Sequence, residues 1–297
     1  RPPHGGGTPT PVSMAAATAI LQLICPDRPG LVSELSGWVA ANGGNIRHAD
    51  HHTDSGAGLF LSRLEWDLER FGLPRDALPA AARALAERLG GDGQLHFSDR
   101  PARVALFVSR QDHCLLDLLW RTRAGELPMT VPLVIANHPD LRSIAEDFGA
   151  RFELVPVTAA GKAEAEARQL QLLAEERIDL AVLAKYMQVL SGDFLARFSR
   201  VINIHHSFLP AFKGAQPYQR AWERGVKLIG ATAHYVTEEL DDGPIIEQVT
   251  VRVSHRDEVD DLIRKGRDME RLALARALRL HLRHQVMVYR GRTAVFD

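Results

Sequence analysis

From residue 103 onward, short apolar runs alternate with helical stretches, and this alternation restricts the fold more than any other property of the chain. Apolar runs at 103–109, 129–136, 152–155 and 180–183 are separated by helical patterns through Leu115, Leu116, Leu118 and Leu119, at 141–148 and at 162–176. Strands joined through helices pair in parallel with right-handed crossovers, so a doubly wound, mostly parallel, Rossmann-like sheet is expected. Ligands of such sheets bind beyond the carboxyl ends of the strands. Residues 109–113, 185–190 and 203–207 fall at those ends.

The first hundred residues read differently. An apolar strand over 17–25 is cut by Pro-Asp-Arg-Pro-Gly at 26–30, after which Leu31, Leu35, Trp38 and Val39 recur at helical spacing up to Gly43-Gly44. Two alternating segments, 45–54 and 58–66, form a hairpin pattern, and a helix over 79–89 and a strand over 94–98 complete the unit. Strand, helix, strand, strand, helix, strand is the ferredoxin-like α+β order. Ser-Asp-Arg-Pro at 98–101 reads as the linker, which gives a small domain at 14–98 and a larger one at 99–297. Residues 1–13, Pro/Gly-rich and ahead of Met14, read as a tag or disordered tail. At the other end, a long helical pattern over 258–289 precedes a short strand at 293–296.

A formal net charge of -1 over 297 residues gives no global field to attract nucleic acid or an anionic membrane. The absence of a long apolar run argues against a membrane span, and a cytoplasmic location is expected. Cys25 and Cys114 are far apart and set among apolar residues, so each reads as a buried small hydrophobe and not as half of a disulfide or thiolate site. His48, His51 and His52 cluster on one strand, but a solvated edge explains them as well as a ligand set, and no metal is expected.

The chemistry concentrates between 201 and 248. Asn203 and His205, two apart at a strand end, leave the same face and can address one substrate atom, with His206 expected to face the other way. Asp241 stands in an Asp-Asp-Gly-Pro turn between two apolar runs, so a carboxylate can join the amide and the imidazole from a second loop. An Asn amide beside a His suits the oxygen of a carbonyl that gains negative charge during acyl cleavage. A carboxylate can orient the His or move protons, and an apolar surround is expected to raise its pKa. No Ser or Cys nucleophile is required. His234, on a strand, reads as structural.

Asn203-Ile-His-x-Ser-x-Leu-Pro, then Lys213-Gly214, then Leu240-Asp-x-Gly-x-Ile-Ile-x-Gln resembles the signature of the 10-formyltetrahydrofolate-dependent formyltransferases and hydrolases. The variant here, with His205-His206-Ser207 and Lys-Gly-Ala-Gln-Pro-Tyr, is most similar to the hydrolase branch, the formyltetrahydrofolate deformylases. That resemblance implies hydrolysis of 10-formyltetrahydrofolate to formate and tetrahydrofolate, within one-carbon metabolism and purine biosynthesis. Asn203, His205 and Asp241 match the catalytic positions, with His206, Lys213 and Gly214 near the site. By the same resemblance Met187, Gln188, Val189 and Leu190 line the pteridine pocket, and Thr237, Glu238 and Leu240 form its other wall. The folate is substrate, and no cofactor is expected to be held permanently. Formyl transfer to an amine such as glycinamide ribonucleotide is the alternative, disfavoured because residues 109–113 lack a Gly-rich phosphate turn, although Arg110 can hold an anion. The ferredoxin-like order with Asp27-Arg28-Pro29-Gly30 resembles the ACT regulatory domain, which implies a homo-oligomer and an amino-acid effector at Asp27, Arg28 and Gly30. A plain turn and helix cap fits that loop equally well.

Overall fold

The computed structural model of the chain describes residues 16–209 and 217–297, so Lys213 and Gly214 and the expected tail at 1–13 lie outside the described residues. The chain divides after Arg100 into two compact units.

In the first unit, β1 (Thr18–Pro26), α1 (Leu31–Ala41), β2 (Ile46–Asp54), β3 (Leu59–Asp67), α2 (Leu78–Arg88) and β4 (Asp92–Phe97) follow the expected order. The strands form an antiparallel sheet in the order β2-β3-β1-β4. Leu21, Leu23 and Cys25 of β1 and Leu64 and Trp66 of β3 pack with Leu31, Leu35 and Val39 of α1 and Ala82, Leu85 and Ala86 of α2 into one core. Gly30 precedes α1 at φ 90, a left-handed conformation that glycine adopts without steric cost. Arg28 is committed to Glu34 through two contacts, at 2.5 and 3.1 Å. His51, on edge strand β2, contacts Ser62 Oγ at 3.0 Å and stacks on Phe60, while His48 and His52 are exposed.

His96 of β4 is mostly buried, and burial pushes its imidazole down from 6.5 to about 4. A group depressed on folding contributes stability above its unfolded pKa and loses it as pH falls toward the folded value. The first unit is therefore expected to lose on the order of 1–2 kcal/mol between pH 7 and 5. Urea titrations at the two pH values check this. An equal fall in the His96→Phe variant would remove His96 as the cause.

The second unit contains β5 (Ala102–Val108), α3 (His113–Arg123), β6 (Met129–Ala136), α4 (Arg142–Asp147), β7 (Arg151–Leu154), α5 (Lys162–Glu175), β8 (Leu180–Leu183), α6 (Gly192–Arg197), β9 (Val201–His205), α7 (Pro217–Glu223), β10 (Leu228–Tyr235), β11 (Ile245–Arg252) and α8 (Val259–Leu282). Seven strands run in the order β11-β10-β9-β8-β5-β6-β7. The five from β7 to β9 are parallel, and β10 and β11 add an antiparallel edge. β5 shows why its sequence has no polar alternation. Val104, Leu106 and Val108 enter the core under α3 and α8, and Ala105 and Phe107 enter the core under α5 and α6.

The helical pattern expected over 258–289 ends at Leu282. His284 turns to φ 53, which a continuing helix does not allow, and Val286–Tyr289 becomes β12, paired with β13 (Arg292–Val295). The apolar residues 286–289 suit either element, and the turn at Arg290 and Gly291, both at positive φ, decides for the hairpin.

Candidate active site

β8 and β9 are neighbouring parallel strands at the middle of the sheet, so the loop after β8 and the end of β9 emerge side by side. There Leu183, Asn203, His205, His206, His234 and Asp241 border a cavity of about 580 Å³.

The loop after β8 is held at both ends. Tyr186 is buried beside Phe107, with its hydroxyl 2.8 Å from Gln169 Nε2. Ser191 caps α6 by accepting from Phe194 N at 3.1 Å, and its own amide donates to Glu166 at 2.9 Å. Between these anchors Met187, Gln188, Val189 and Leu190 all border the cavity, as do Thr237, Glu238 and Leu240 across it. Met187 is 60% exposed and Leu240 61%. Large apolar side chains left open on facing walls of a cleft suit a flat aromatic ligand.

At the inner end His205 Nδ1 lies 3.2 Å from Asp241 Oδ1, and the His205 side chain is 7% exposed. The hydrogen bond from His205 holds the Asp241 carboxyl below the usual range, against the opposing effect of burial, and the charges of His205, His234 and His206 add to it. This reverses the expected upward shift, because the direct hydrogen bond outweighs desolvation. His205 Nε2 is buried without a hydrogen-bond partner among the described residues, as befits a group whose partner is water or substrate.

Asn203 Nδ2 lies 3.3 Å from His234 Nε2. His234 Nδ1 faces the Tyr235 carbonyl oxygen at 2.9 Å and so carries the ring hydrogen, which leaves Nε2 to accept from Asn203. His234 thus orients the amide, and it also stands 3.9 Å from Asp241. Its expected structural role is extended accordingly: antiparallel pairing sets His234 directly opposite Asn203. An imidazole within a mostly apolar strand was the available signal.

His206 does not face away. β9 ends at His205, so alternation stops there, and the rings of His205 and His206 stack at 4.7 Å with 22° between planes. Both border the cavity.

Asp241 adopts φ 54, left-handed and tolerated by Asp better than by most residues. The turn depends on Gly243, where a Cβ would overlap the Tyr235 carbonyl oxygen. The alternative carboxylate of the pair, Asp242, is not the one that meets His205.

Residues 102–278 match the Formyl transferase family, and residues 19–66 match the ACT domain. The chain is 59% identical to the formyltetrahydrofolate deformylase of Synechocystis sp. over 95% of its own length and 100% of that protein's. The crystal structure of a formyltetrahydrofolate deformylase from Pseudomonas syringae pv. tomato superposes with a TM-score of 0.93 at 45% identity, covering 96% of each chain. Glycinamide ribonucleotide transformylase 1 from Symbiobacterium toebii gives 0.62 at 32% identity, covering 66% of this chain and 95% of that one.

Proposed function

The chain belongs to the formyltetrahydrofolate deformylase family, and on that premise we propose that Asn203, His205 and Asp241 perform the reaction it catalyses. That reaction is the hydrolysis of 10-formyltetrahydrofolate to formate and tetrahydrofolate. The pteridine lies between residues 187–190 and the wall made by Thr237, Glu238 and Leu240, with the formyl group at the inner end. Asn203, oriented by His234, donates to the formyl oxygen as water adds to the carbon. His205 takes the proton from the attacking water and delivers it to the departing N10, while Asp241 fixes the ring and faces the imidazolium. A carboxyl held below its usual range is a weak proton acceptor, which favours this orienting role for Asp241 over direct activation of water.

The observation that carries the reading is the 3.2 Å contact between Asp241 and His205 beside Asn203, at the closed end of a cleft with open apolar walls. Transfer to an amine acceptor has less support, since the likeness to the transformylase is confined to two thirds of the chain. Purified protein given 10-formyltetrahydrofolate and no amine is expected to release formate and tetrahydrofolate in equal amounts. Formate release that appears only when an amine acceptor is added would overturn the assignment.

The small domain, placed at 14–98 with the catalytic domain at 99–297, serves in this reading as a cytoplasmic homo-oligomer's amino-acid sensor. Its effector is held at Asp27, Arg28 and Gly30. Displacement of Glu34 from Arg28 by the effector carboxylate supplies the recognition.

A further inference from the structure

Against His206 lies a group of buried polar side chains that the hydrolysis described above does not use. Glu270 of α8, its side chain 2% exposed, lies 3.1 Å from the ammonium of Lys185, 6% exposed. Its other oxygen contacts His113 Nε2 at 2.6 Å, and the Tyr218 hydroxyl lies 3.1 Å from the first, set against Gly266 of the same helix. Burial pushes the Glu270 carboxyl up, but the His113 hydrogen bond and the Lys185 charge outweigh it and bring it down to about 2.

His113, Cys114 and Glu270 bring three ligand-type atoms within 4.8 Å of one another. The carboxylate, however, already has the Lys185 ammonium, and burial pushes the Cys114 thiol well up, away from the thiolate that a metal takes. Nor is stability a sufficient reason for the pair, because desolvating two charges offsets most of their attraction. The position of the ammonium gives a better one. Lys185 follows β8 at φ 66, its Nζ lies 3.5 Å from His206 Nδ1, and His206 stacks on His205. Lys185 and His206 border both the catalytic cavity and a second cavity of about 530 Å³ that Arg110, Asn137 and Arg267 also line.

We infer that Lys185, anchored by Glu270, is a positioning residue for the hydrolysis: its ammonium holds His206 against His205 and so fixes the plane in which His205 works. An ammonium only donates, so His206 Nδ1 accepts and the ring hydrogen sits on Nε2. Among the described residues, the titratable groups around the stacked pair include Lys185 after β8, His234 of β10, Asp241 in its turn and Tyr218 of α7. Glu270 and His113 act behind Lys185. The inference rests on His205 serving the reaction, which His205→Ala tests separately.

Three variants test it. Lys185→Met is expected to lower kcat roughly tenfold or more with KM for 10-formyltetrahydrofolate within about twofold, the pattern of lost orientation and retained binding. Lys185→Gln, whose amide still donates, is expected to keep at least about threefold more kcat than Lys185→Met. Lys185→Met with Glu270→Met removes both charges together, so its thermal midpoint is expected to lie above that of Lys185→Met, which leaves the Glu270 carboxylate buried without its ammonium, while kcat stays as low as in Lys185→Met. Parental kcat in the double variant would make the pair purely structural and overturn the inference. Equal kcat in the Met and Gln variants would do the same, and that comparison decides the matter even where the double variant does not fold.

Discussion

Asp241→Asn is expected to lower kcat on the order of 10²- to 10³-fold, or roughly 3–4 kcal/mol of transition-state stabilisation. The amide is nearly the shape of the carboxylate and Asn also tolerates positive φ, so the turn at φ 54 and the thermal midpoint are expected to survive. What is lost is the charge facing His205 Nδ1 at 3.2 Å, and with it the constraint on which His205 nitrogen carries the hydrogen. The pH dependence gives a second reading of the same group. Because the folded carboxyl is held below its ordinary range, the contribution of Asp241 is present above about pH 4 and is lost only as pH falls through the depressed value. A fall of kcat between pH 7 and 5 therefore does not belong to Asp241. Turnover near the parental rate in Asp241→Asn would remove this residue from the mechanism.

Asn203→Ala is expected to be nearly as severe. Loss of one donor to a developing oxyanion costs about 10²- to 10³-fold in kcat. KM changes little where the interaction matures only in the transition state. The substitution also strips His234 Nε2 of its 3.3 Å partner, so a partial loss in His234→Ala, with kcat affected and KM kept, is expected to follow from a misplaced amide. Steady-state kinetics over a range of 10-formyltetrahydrofolate concentrations separate the cases. A raised KM with unchanged kcat would make Asn203 a binding residue only.

What could be read before the structure follows from the range over which each physical signal acts. The alternation of apolar runs is local, and it placed the strands of the parallel sheet and the order of the first unit within a few residues. That Asn203, His205 and Asp241 border one cavity was legible from the extended motif that they share with the resembling family, with two of them at a strand end and the third in a marked turn. The partnerships of His234 with Asn203 and of Glu270 with Lys185 were not. Each owes its position to pairing between distant segments: His234 to the antiparallel register of β10 on β9, and Glu270 to the face that α8 presents to residues more than eighty positions earlier. The direction of the Asp241 shift failed for a related reason. Burial can be guessed from neighbouring apolar residues, but a hydrogen bond across 36 positions cannot, and here that bond dominates. The end of α8 was missed because Val286–Tyr289 is apolar enough for a helix, and only a hairpin partner beyond Gly291 shows otherwise.

The packing of Tyr218 against Gly266 limits how this protein can be hardened. Glycine inside a helix costs about 1 kcal/mol relative to alanine, which makes such positions the first choice of an engineer seeking heat resistance. At 266 even one methyl group would collide with the phenol, evict it from Glu270 and loosen α7 from its neighbour. The weak point of the longest helix is thus bound to the catalytic architecture, and sturdiness has to be sought elsewhere along it.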